Sequence, residues 1–172
     1  MSLVYENLIP ENRIAFVAKV LEIANRLGIN PNWLMIVFFI ETDASRRKVI
    51  DHRIVNSIGA TGLLQFMNTT MRMMGVTSIM LRSMTNVQQL DYVFRYFQPY
   101  VGRMKSLTDV YLAVLFPIAI GKPDYWVLQA GGITAVKMAC ANPLYDLNRD
   151  KIITVGEVKA KLSQFVPLGI AV

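Results

Sequence analysis

The chain of 172 residues has one cysteine and one histidine. With Cys140 alone, no intrachain disulfide can form, and the residue reads as a small buried hydrophobe. His52 has no second histidine or cysteine nearby, so it reads as a loop residue with no metal motif around it. Carboxylates are also scarce. Twelve Asp and Glu stand against 18 Lys and Arg, which leaves a net charge of +6 and a pI near 9.6. That balance favours an anionic partner, whether nucleic acid, a membrane surface or an anionic polymer. The basic residues are scattered, with Arg46-Arg47-Lys48 the densest group, and no nucleic-acid motif accompanies them, which argues against nucleic acid.

Long apolar runs are absent too, although 53% of the residues are apolar and mean hydropathy is +0.37. The longest stretches are Trp33 to Ile40 and Tyr111 to Ile120, the second interrupted by Pro117. Both fall short of the ~18 residues that a spanning helix needs, so they read as core helices and no membrane span is expected. The first residues, Met1 to Asn7, have no basic segment followed by an apolar one, so no secretory signal peptide is expected. Alternating strand patterns and internal repeats are missing.

What is present is helical periodicity. Ile14, Val17, Val20, Leu21, Ala24 and Leu27 recur at helical spacing over residues 11–27, and Gly28 supplies a stop. Asn30-Pro31 predicts a second helix through Ile40, with Asn30 as N-cap and Pro31 in the first turn. Residues 42–61 read as loop. A third helix is expected from Gly62 or Leu63 to Met74, another over 86–104, and another over 107–120 bent or broken at Pro117. Short helices are expected near 125–130 and 134–140, and an amphipathic one over 158–165. The class is mainly α, read as a single domain over 1–172.

Glu41 ends the apolar run at Ile40. A carboxyl at the rim of an apolar helix is poorly solvated, which disfavours its charge and raises its pKa, as a general acid working near neutrality requires. After a loop comes Asn56-Ser57-Ile58-Gly59-Ala60-Thr61-Gly62-Leu63-Leu64-Gln65-Phe66. Its glycines suit close approach of backbone to a ligand. This pairing resembles the soluble lytic transglycosylase family of the lysozyme superfamily. In that family an apolar helix ends in a catalytic Glu, and a Gly-Ala-x-Gly-Leu-x-Gln segment with a Thr soon after follows it. Gly59, Ala60, Gly62, Leu63, Gln65 and Thr70 match, and the resemblance is close over about residues 15–75.

The resemblance implies a lysozyme-like (goose-type) helical domain that cleaves the β-1,4 bond between N-acetylmuramic acid and N-acetylglucosamine in peptidoglycan. Glu41 would protonate the glycosidic oxygen and then, as carboxylate, take a proton from the muramic hydroxyl that closes an anhydro ring. Catalysis would need no cofactor. Gln65, Thr42, Asn56, Gly62, Phe66 and Tyr111 are the implied substrate contacts. Phe66, like Met67, reads first as core. A hydrolytic lysozyme would need a residue to hold water, and Asp43 and Asp51 are the nearest. Thr42 and Asn56 stand where the family usually has Ser, and the family's later Tyr-Asn pair is missing from the helix Tyr111-Leu112-Ala113-Val114-Leu115-Phe116-Pro117. That gap leaves open a glycan-binding or structural protein without catalysis. A monomer acting on bacterial cell wall, as a phage virion-associated or lysis protein or as part of a longer chain, is the expected setting.

A second motif runs from Asp146 to Glu157. It places oxygen side chains at positions 1, 3, 5, 9 and 12 of an EF-hand-like loop, with an apolar residue at position 8. Asp146, Asn148, Asp150, the Ile152 carbonyl, Thr154 and Glu157 are the candidate Ca2+ ligands, in a structural role. The loop also resembles those of dockerin modules. Position 6, normally Gly, is Lys151, which sets a positive charge against the cation.

Overall fold

The structure, a computed structural model, describes residues 2–172. It is mainly α, with about half the residues in helices. Among the described residues there is no strand, only isolated antiparallel bridges such as Val55 to Thr61 and Thr61 to Phe66. No described helix is long and apolar enough to cross a membrane. The chain divides into two compact units, one ending at Val101 and one covering Gly102–Val172.

The first unit holds α1 (Arg13–Leu27), α2 (Pro31–Glu41), α3 (Ala44–Arg47), α4 (Asn68–Met73), α5 (Ser78–Ser83) and α6 (Asn86–Phe97). Asn30 caps α2 as its sequence predicts: its side chain accepts from the Asn32 amide at 2.9 Å, with Pro31 in the first turn. Leu34 to Phe39 are buried, so α2 runs through the middle of this unit's core. α1 packs against α2 and α6. Phe16 of α1 meets Phe38 of α2 edge to face, at 6.0 Å between ring centres. Thr85 opens α6 with a capping box to Gln88.

The second unit holds α7 (Leu107–Leu115), α8 (Ala135–Ala141) and α9 (Val155–Ser163), with α7 packed on α9. Pro117 begins a 3-10 turn, Pro117–Ala119, after Phe116 leaves helical geometry, so the apolar run of 107–120 is broken where proline removes a backbone donor.

Several expectations are corrected. Residues 62–66 are not helical, and α4 begins at Asn68. α6 stops at Phe97, and the 3-10 turn Gln98–Tyr100 follows it at Pro99. Residues 125–130 form a bridge-bearing loop rather than a helix. α5 has no counterpart in the periodicity, although Thr77 caps it by accepting from the Met80 amide. Cys140 is exposed, because α8 turns Met138 and Ala139 inward instead. His52 lies in a loop but is wholly buried.

Candidate active site

Glu41 is the last residue of α2, at the point where the buried helix reaches partial exposure. Thr42, next to it, is fully buried, and its hydroxyl donates to the Phe38 carbonyl at 2.7 Å. The hydroxyl therefore ties down the end of α2 and is not presented to a sugar. Asp43 and Asp51, the candidates for holding a water, are both engaged by arginine. Asp43 accepts from Arg46 Nε at 2.7 Å, and Asp51 pairs with Arg47 at 3.4 Å.

The glycine-rich strip is a tight antiparallel turn. The Phe66 amide donates to the Thr61 carbonyl at 2.8 Å and the Thr61 amide to the Phe66 carbonyl at 3.1 Å. Gly62 (φ 83) and Gln65 (φ 48) both take the left-handed conformation, which excludes a helix here and turns Leu63 and Leu64 into the core. The amide of Gln65 donates to the Gly62 and Ile54 carbonyls at 3.1 and 3.4 Å, within its own loop. Asn56 is exposed, and its Oδ1 accepts from the amides of Ile58 and Ala60, both at 3.0 Å, closing the preceding turn. Phe66 is buried, while Met67 is exposed.

Close approach at Gly62 serves the protein rather than a ligand. A Cβ there would stand 2.6 Å from Oε1 of Gln89. Gln89 projects from α6 and is completely buried. Its Nε2 donates to the carbonyls of His52 (2.6 Å) and Leu81 (2.8 Å), and its Oε1 accepts from the Leu63 amide (3.2 Å). One side-chain amide thus joins the strip, the His52 loop and α5. Sequence reading assigned Gln89 no role, since a helical glutamine ordinarily faces water.

Beside this strip an open groove of about 400 Å3 runs between two walls. Thr70, Met73 and Met74 line one; Arg95 and Tyr96 of α6, with Pro99 and Tyr100 after it, line the other. Phe66 packs edge-on against Tyr96, with ring centres 5.8 Å apart, so the groove wall rests on the end of the glycine-rich turn. Tyr100 lies 6.4 Å from Tyr96. Burial pushes the Tyr96 hydroxyl well above the usual tyrosine range, and the neighbouring Tyr100 hydroxyl and the Glu41 carboxylate add to this. Tyr96 therefore remains a neutral phenol at working pH, and Glu41 lies within electrostatic reach of the groove wall. The four-residue spacing of Tyr96 and Tyr100 is the signal in the sequence that points to this wall.

Tyr111 belongs to the second unit. It is buried, and its hydroxyl bonds that of Tyr145.

The loop Asp146–Glu157 is closed by its own hydrogen bonds. Asp146 Oδ2 accepts from the Lys151 amide at 3.1 Å, Asn148 Oδ1 from the Asp150 amide at 3.0 Å, and Asp150 Oδ1 from the Ile152 amide at 2.8 Å. Lys151 stands at φ 67, the left-handed geometry for which the sixth position normally uses glycine. Ile153 is buried, and its carbonyl accepts from Leu128 at 2.8 Å. Glu157 closes a capping box on Thr154 and also accepts from the Leu147 amide at 3.1 Å. The donor set is all oxygen, as a hard cation requires, and Asp146 Oδ1 is buried without a hydrogen-bond partner. Among the described residues, no three His, Cys, Asp or Glu side chains are gathered around a common point to hold a metal.

Comparison with protein-family models, curated proteins and solved structures returned no match, so the functional reading rests on these side chains.

Proposed function

We propose that the chain is a peptidoglycan lytic transglycosylase with a lysozyme-like helical fold. The observation that carries the reading is Glu41 at the half-exposed end of a buried apolar helix, in the same unit as a tyrosine-walled groove. Glu41 protonates the oxygen between N-acetylmuramic acid and N-acetylglucosamine as the glycosidic bond breaks through an oxocarbenium-like transition state. The same carboxylate then accepts the proton of the muramic hydroxyl that attacks the anomeric carbon, closing the anhydro ring. Tyrosine faces offer an apolar surface to the C–H side of a sugar ring, and their hydroxyls bond its rim.

Asp43 and Asp51 each hold an arginine, which engages part of the carboxylate that a hydrolase would use to position a water. The loop at Asp146–Glu157 is assigned a structural Ca2+ site in the same proposal. Asp146, Asn148, Asp150, the Ile152 carbonyl, Thr154 and Glu157 would hold the ion, with Glu157 exchanging its capping bonds for it. The charge would tie the loop's oxygens together and has no part in the cleavage. Cell-wall glycan strands are the proposed substrate, and a phage virion or lysis protein is the proposed setting.

Digestion of purified peptidoglycan by the protein and by Glu41→Gln, read by mass spectrometry, tests the reading. Anhydro-muramic ends from the wild type alone are expected. Reducing ends would make the enzyme a hydrolase. Absence of fragments from the wild type would leave a glycan-binding or structural role.

A further inference from the structure

Arg95 stands exposed on the groove wall among apolar and aromatic neighbours. Its guanidinium lies over the Tyr92 ring at 5.3 Å, and no carboxylate pairs with it among the described residues. By contrast, Arg46, Arg47 and Arg53 each hold an acidic partner. A guanidinium lodged against an aromatic face keeps its N–H edge free for the two oxygens of a carboxylate, and it is less strongly hydrated than an ammonium.

We propose that Arg95 makes the groove a reader of acidic sugar: the pyranose ring lies against Tyr96 and Tyr100, and a carboxylate on its short side arm meets the Arg95 guanidinium. This rests on the glycan reading above and narrows it to muramic residues whose lactyl carboxylate is free of peptide. Three features point there. Arg95 lines the same groove as the two tyrosines, so an acidic arm on a ring bound there lies within the reach of a long side chain. The groove, about 400 Å3, falls in the range of ligand pockets (~300–1,000 Å3) and has room for a sugar ring, and an attached peptide would turn the lactyl carboxylate into an amide with no charge for Arg95. The net charge of +6 draws an anionic polymer toward the surface.

The test uses the Glu41→Gln protein, which is expected to bind without cutting. Calorimetry compares three probes: peptide-free glycan strands, peptide-bearing strands and the neutral chitohexaose. Peptide-free strands are expected to bind about tenfold tighter than either of the others, the size of one charge-assisted contact. Adding Arg95→Gln should erase that preference, weakening peptide-free strands about tenfold more than chitohexaose, while Arg95→Lys should keep part of it. A preference that survives Arg95→Gln overturns the proposal. So does equal binding of all three probes, binding of none, or an Arg95-dependent preference for peptide-bearing strands. Arg95-dependent binding by a wild type that releases no fragments would instead sink the catalytic reading and leave this one standing.

Discussion

The junction of Gly62 and Gln89 gives the sharpest test of how the site is held. Gly62→Ala places a methyl 2.6 Å from Gln89 Oε1. Gln89 cannot swing aside, because its Nε2 is anchored on the His52 and Leu81 carbonyls. Two costs follow. An L-residue at φ 83 pays about 1–2 kcal/mol in backbone sterics. Displacing the glutamine leaves buried backbone groups unpaired, at about 1–3 kcal/mol each. With one such group lost, the expected total is about 2–5 kcal/mol. Gly59→Ala is the control: φ there is 85, yet the nearest atom to the new methyl is Asn68 Nδ2 at 3.6 Å, so about 1–2 kcal/mol is expected. In a Gln89→Ala background the methyl at 62 has room, and its cost should fall to the backbone value, giving a coupling of about 2 kcal/mol. Urea unfolding followed by Trp33 fluorescence in Trp126→Phe protein reads the first unit alone. Equal costs at Gly62 and Gly59, or additivity of Gly62→Ala with Gln89→Ala, would refute the clash as the reason for glycine at 62.

His52 should make stability fall in acid. Burial, then the neighbouring Arg53 charge, lower its pKa; Glu11, the Met84 carbonyl (3.1 Å from Nε2) and Asp51 oppose this in part. Its Nδ1 is buried without a partner, so a second proton has no acceptor. The unfolded imidazole titrates near ~6.5 and the folded one lower, so the stabilisation is complete above that value and is lost as pH drops through the folded pKa. Urea midpoints between pH 8 and pH 5 check it, and a slope that His52→Gln leaves unchanged would assign the effect elsewhere. Glu157→Ala should cost about 1–2 kcal/mol in chelator through the lost capping box, and more in calcium, by thermal melts; equal losses in both would mean that the loop binds no calcium. Lys151→Gly should tighten calcium binding by relieving the left-handed backbone and removing a positive charge, and unchanged affinity by calorimetry would count against the site.

Local signals were enough where one short segment decides the outcome. The Asn30-Pro31 start of α2, the course of α1 to its stop at Gly28 and the break at Pro117 were legible, because capping, periodicity and proline act over a few residues, although α1 buries Phe16 and Ile23 and leaves Ile14 exposed. The strip at 61–66 was misread because Leu63-Leu64 supplies apolar side chains at a density a helix also has. The left-handed Gln65 that decides against a helix is a residue type without that habit. Thr42 showed the same limit: a hydroxyl beside a candidate acid looks like a contact, and only the three-dimensional path of α2 turns it back onto Phe38.

The sequence by itself determined a mainly helical chain, a glutamate at the rim of an apolar helix, a glycine-bearing segment after it and an oxygen-rich loop at residues 146–157. Each follows from composition and spacing, which the chain carries wherever it goes. Tertiary structure alone decided that Gln89 fills the space above Gly62, that Tyr96 joins Phe66 to a groove within reach of Glu41's charge, and that Arg95 faces that groove without a carboxylate partner. Those relations join residues far apart in sequence, and which side chains meet is set by how the helices pack and by the need of each buried polar group for a partner.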